Sequence, residues 1–167
     1  MLYLADTNIF LRLAEPNHPM HAETRSAINA LTAKGDSVCV VPQNVIEFWN
    51  VATRPADKNG LGYTRQQTQI EVEKIEGLFQ LILDAPAIYA EWKRLVIAHA
   101  VEGKQVHDTR IVAAMNVHGI THLLTYNKND FSRFTGIFVA SPSELAKPQP
   151  AQPPVVTTKN EEEGQET

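Results

Sequence analysis

The sequence predicts an α/β fold with a short parallel sheet covered by helices on both faces, and three observations predict it. Short β-branched and apolar runs alternate with segments of helical periodicity along most of the chain. The strand-like runs, such as "SVCVV", are solidly apolar, as expected where both faces of a sheet are buried. At 167 residues and 43% hydrophobic content, the chain is long enough for one domain with a real core.

The elements follow in order. "LYLAD" is a strand ending at Asp6, and "NIFLRLAE" is a helix that stops before Pro16. "HPMHAETRSAINALTAKG" is a second helix, closed by Gly35, and "SVCVV" is the second strand. "PQNVIEFWNVATR" opens on Pro42, a residue suited to a first helical turn. "PADKNGLG" is a loop, and "TRQQTQIEVEKIEG" is a helix capped by Thr64. "LFQLIL" is a strand and "PAIYAEWKRLVIAHAV" a helix. "VHDTRIVAAMNVHG" is a further helix closed by Gly119, "THLLTY" a strand, "DFSRF" a turn and "GIFVASP" the last strand. From Lys147 the composition shifts to Pro, Gln, Thr and Glu, so we expect a folded domain over 1–146 and a disordered tail over 147–167.

One cysteine, Cys39, excludes a disulfide framework within a single chain and a thiolate metal site, and favours a reducing, cytoplasmic setting. No apolar run is long enough to span a membrane, and the amino terminus has no secretory pattern. The net charge of −4 argues against a broad electrostatic footprint on nucleic acid. An enzyme that supplies positive charge locally, through metal and a few basic side chains, stays open.

Glu47 raises the functional question. Its neighbours Val45, Ile46, Phe48, Trp49, Val51 and Ala52 are all apolar, and an acid in such company needs a partner. In a parallel sheet the helices run back against the strands, so their N-termini meet the carboxyl edge, where open α/β folds place their sites. Asp6 ends the first strand, Glu47 and Asp108 lie in first turns of helices, and Asp130 follows the strand "THLLTY". The alternation brings all four to one edge. Four carboxylates at close range call for compensation, and an oxygen-only donor set suits Mg²⁺ or Mn²⁺. Such ions activate water for phosphodiester hydrolysis. Plainer readings exist for each acid. Asp6 is a good N-cap, Asp108 complements a helix dipole, Asp130 is a turn residue, and Glu47 is an ion-pair partner for an arginine. His107 reads as a surface or capping residue. Trp49, Trp92 and Phe79 read as core or dimer-interface aromatics.

Four stretches, "LADTNIF", "QNVIEFWNV", "HDTRIVAAM" and "LLTYNKNDF", occur in this order. Together they resemble the motifs of PIN-domain ribonucleases, and within them the VapC-type toxins of type II toxin–antitoxin systems. The resemblance implies a three-layer α/β/α sandwich and metal-dependent endoribonuclease activity. It implies RNA as substrate, an antitoxin protein as partner, and a homodimer. Asp6, Glu47, Asp108 and Asp130 would be catalytic and metal-binding. Asn8, Thr125 and Asn127 would support them, Asn127 or Asp130 filling the fourth place. Arg12, Arg110 and Lys128 are candidates for holding substrate phosphates, with Arg54, Lys58 and Arg133 as further flanking charges. Competing readings are an inactive PIN-like partner-binding domain, an aspartyl phosphohydrolase and a phospho-receiver domain. The second would want Asp-x-Asp where this chain has "DTN", and the third a paired-acid motif after the first strand and a lysine after the last, and neither feature is found.

Overall fold

Five parallel strands form one sheet in the order β3-β2-β1-β4-β5, as seen in a computed structural model that describes residues 1–146. The strands are β1 (Leu2–Ala5), β2 (Ser37–Val40), β3 (Gln80–Leu81), β4 (His122–Leu124) and β5 (Phe138–Ala140). Between them run α1 (Thr7–Ala14), α2 (His21–Ala33), α3 (Pro42–Thr53), α4 (Arg65–Leu78), α5 (Ala87–Ala98) and α6 (Gln105–His118), and α7 (Pro142–Leu145) follows the last strand. The expected tail from Lys147 lies outside the described residues.

The strands are mostly apolar because their two faces feed separate cores. Leu4, Cys39 and Leu123 pack with Ile88 and Leu95 of α5 and Ile111 and Met115 of α6. Their strand neighbours Tyr3, Ala5, Val38, Val40 and Leu124 point the other way. They meet Ile9 and Phe10 of α1, Leu31 of α2, Phe48 of α3 and Ile75 of α4. This period of two, with apolar groups on both faces, is the three-layer sandwich in its simplest form. Register pairs Leu4 with both Cys39 and Leu123, so the three central strands end level.

Several boundaries differ from the sequence reading. The expected strand "LFQLIL" shrinks to Gln80–Leu81, an edge strand, while Leu78 and Leu83 are 75% and 68% exposed. α2 begins at His21 rather than His18, after a turn containing Pro19. The short helix α7 was not expected. Its signal is a capping box, Ser141 to Glu144, in which the Glu144 carboxylate accepts the Ser141 N–H at 2.8 Å. Thr64 caps α4, accepting the Gln67 N–H, and Gly119 ends α6 in the left-handed conformation (φ 67°).

Candidate active site

The chain order of the strands reverses direction across β1 and β4, because β2 and β3 extend to one side of β1 and β4 and β5 to the other. A crevice opens at the carboxyl ends of strands at such a switch point. Asp6 and Thr125 stand there, one residue beyond the ends of neighbouring strands. The ladder carries on to Asp6, whose N–H donates to the Leu124 carbonyl at 2.9 Å.

Asp6 is 7% exposed and is held by neutral donors only. One carboxylate oxygen accepts the Thr7 N–H at 2.7 Å, which makes Asp6 the N-cap of α1. The other accepts the Thr125 hydroxyl at 2.6 Å and the Asn8 amide at 2.7 Å. The Asn8 amide also donates to the Thr125 hydroxyl, and its carbonyl accepts the Tyr126 N–H. Capping and site membership are thus one arrangement, because the side chain that ends β1 also starts α1.

Glu47 has no arginine against it. Its two oxygens accept the Thr7 hydroxyl at 2.9 Å and the Gln43 amide at 2.7 Å. Gln43 also donates to the His107 carbonyl and accepts from the Arg110 guanidinium at 3.0 Å, so a cation stands one residue behind Glu47. Glu47 is half-buried, not fully buried. Of its apolar neighbours, Ile46 and Trp49 are exposed, and Phe48 and Ala52 face the core. Asn44, buried beside Thr7, accepts the Val41 N–H and holds the helix start. Thr7, Gln43 and Asn44 escaped the sequence reading. The Gln43–Glu47 spacing of four, one helical turn, was the available signal.

Asp108, in the first turn of α6, is half-buried. Burial pushes its carboxyl up to about 6, and the charges of Asp6, Asp130 and Glu47 add to the rise against a smaller opposing effect of His107. Burial also raises Asp6 to about 6, with the charges of Glu47 and Asp130 assisting, although the hydrogen bonds from Thr125 and Thr7 pull it down. The four acids therefore sense one another, and among the described residues none of them is in an ion pair. Asp130, part-buried, contributes charge to both aspartates, while Asn127 is exposed and supports the site through its backbone N–H, which donates to Thr125. His107 is exposed and enters the site through its carbonyl.

An all-oxygen donor set carrying uncompensated charge fits a hard divalent cation. The carboxylates do not close as a ready-made shell, however. Among the described residues no three acidic, histidine or cysteine side chains converge on one point. An ion held here by Asp6 and Asp108 would take further ligands from water and substrate, as Mg²⁺ commonly does.

The three basic candidates are already engaged. Arg12 pairs with Glu15 at 2.8 Å, Arg110 with Asp84 at 2.8 Å and Lys128 with Glu144 at 2.7 Å. Arg133 donates to Gln105 at 2.6 Å. Each of Arg12, Arg110 and Lys128 thus has one acid as a partner. A recess of about 750 Å³ elsewhere, lined by Phe10, Ile28, Ile75 and Leu78 among others, gathers none of the four acids.

Residues 3–137 match the PIN domain. The chain belongs to the PIN-domain family. No curated protein matches it in sequence. Solved structures share the fold. VapBC2 from Rickettsia felis, bound to a DNA fragment from its promoter, is similar at 15% identity and a TM-score of 0.64, over 84% of this chain and 98% of that one. VapBC-1 from nontypeable Haemophilus influenzae is similar at 16% identity and 0.64, over 86% and 99%. VapC20 from Mycobacterium tuberculosis, a toxin that cleaves the sarcin–ricin loop, is similar at 14% and 0.53, over 74% and 87%. Within this PIN domain, no helix among the described residues is long and apolar enough to cross a membrane.

Proposed function

We propose that the chain is a Mg²⁺- or Mn²⁺-dependent endoribonuclease, the toxin of a toxin–antitoxin pair, acting in the cytoplasm as a homodimer. The observation that carries this reading is the unpaired acid cluster at the switch point, where two aspartates are raised to about 6 by burial and by the charges of neighbouring acids. Family membership supports nuclease chemistry. The names of the similar structures, antitoxin complexes and a toxin that cleaves the sarcin–ricin loop, support the toxin role and RNA as substrate.

Asp6 and Asp108 would hold the ion, with Glu47 and Asp130 completing its surroundings directly or through water. When bound, the ion activates a water and neutralises charge on the phosphodiester. The protein's own groups prepare for this. Thr125, Asn8 and the Thr7 N–H fix Asp6 in one orientation. Thr7 and Gln43 hold Glu47 toward the cleft. Burial of Asp6 keeps competing water away and strengthens its attraction for a cation.

The test is an RNA cleavage assay with Mg²⁺ or Mn²⁺, with EDTA, and with Asp6→Ala and Asp108→Ala. Chelation should abolish cleavage, and each substitution should lower it at least about a hundredfold. Cleavage that survives both chelation and substitution overturns the mechanism.

A further inference from the structure

Next to the acid edge lies a second recess, of about 390 Å³, lined by Ala85, Pro86, Ile88, Tyr89, Trp92 and Arg110. Two connections tie it to the acids. The Trp92 indole N–H donates at 2.9 Å to the carbonyl of Val106, two residues before Asp108. Arg110 lines the recess and also donates to Gln43, which holds Glu47. Tyr89 and Trp92 lie against one another, ring centroids 5.8 Å apart, and Tyr89 is 68% exposed.

We propose that this recess is a nucleobase subsite, in which a base of single-stranded RNA adjoining the acid edge stacks on the Tyr89–Trp92 pair beside Arg110. The inference rests on the endoribonuclease reading and adds to it where the substrate is gripped. Three observations select a base as occupant. The net charge of −4 gives no broad basic surface for the backbone, and Arg12, Arg110 and Lys128 are all paired with acids. Stacking on aromatic rings provides a grip on any base that does not depend on charge. The recess is small and confined to six residues, the scale of a flat ring system rather than of a partner helix. Arg110 spends two donors on Gln43 and Asp84, and the guanidinium keeps others for a base edge or phosphate.

The experiment compares wild type, Tyr89→Ala and Tyr89→Phe by fluorescence anisotropy with a short labelled single-stranded RNA, Ca²⁺ replacing Mg²⁺. Melting temperature and sedimentation are measured alongside. Tyr89→Ala should weaken binding about tenfold, and Tyr89→Phe should not. The ratio should stay constant from about 50 to about 200 mM salt, because stacking releases no counterions, although both affinities fall. In Mg²⁺ the loss should appear in KM with kcat little changed. Equal binding by Tyr89→Ala and wild type overturns the subsite and leaves the nuclease reading standing. Conversion of dimer to monomer by Tyr89→Ala overturns it in favour of an interface between copies. A wild-type chain that neither binds nor cuts RNA overturns both.

Discussion

Asp6 and Asp36 are two little-exposed acids at opposite edges of the same sheet. Asp6 is 7% exposed at the carboxyl end of β1, and the Asp36 side chain is 8% exposed just before β2. Asp36 has a cation, the amino terminus of Met1. Asp6 has three neutral donors and two other acids whose charges raise its pKa. Six ion pairs occur among the described residues, and none includes Asp6, Glu47, Asp108 or Asp130. Six acids elsewhere among the described residues find a cation, and the four gathered at this edge do not. Burying charge in this way costs stability, and sites of function are where such costs persist.

The largest effect that sharpens this contrast is expected at Gln43. Gln43→Ala frees Glu47 from its amide donor and cuts the link to Arg110. Metal affinity, measured by calorimetric titration with Mn²⁺, should fall about 10- to 100-fold, the usual consequence of losing a group that orients a ligand. Unchanged affinity would place Glu47 outside the ion's surroundings.

Next comes pH. Asp6 and Asp108 have folded values near 6, above the unfolded value of about 3.9. The folded chain therefore binds protons more tightly, and without metal its stability falls as pH rises from about 4 through 6. Asp108→Asn removes one charge. It should raise the metal-free melting temperature by several degrees at pH 7 and leave it unchanged near pH 4. Added Mg²⁺ should then stabilise wild type more than the variant. A variant that melts lower at pH 7 would show that Asp108 is compensated after all.

The smallest effect belongs to the opposite edge. Asp36→Asn removes a pair whose amine is 59% exposed, so the cost should be about 1 kcal/mol, some 2–4 °C in Tm. RNA cleavage should not change. A loss of cleavage would break the contrast between the two edges.

Much of this was legible in the sequence because strand ends and helix starts are local signals. Solid apolar runs ending at Asp6 and before Tyr126 mark the carboxyl edge, and Pro42 and Gly119 bound the helices that carry Glu47 and Asp108. Partners were not legible. The acids that engage Arg110 and Lys128 lie 26 and 16 residues away, and only the folded chain brings them together. The apolar company of Glu47 misled for a similar reason, since sequence does not say that Ile46 turns outward while Phe48 turns in. The edge strand β3 shrank because leucines beside a sheet edge need not belong to it. α7 was readable from Ser141 and Glu144 but is only four residues long.

The level ending of β1 and β4 has a mechanical side. Adjacent strands sit about 4.8 Å apart, so the backbone ladder itself acts as a ruler between Asp6 and Thr125. A slip of β1 by a single residue would turn Leu4 and Ala5 to the wrong cores and swing Asp6 to the opposite face. The two oily layers that flank the sheet thereby act as a lock on the spacing of Asp6 and Thr125.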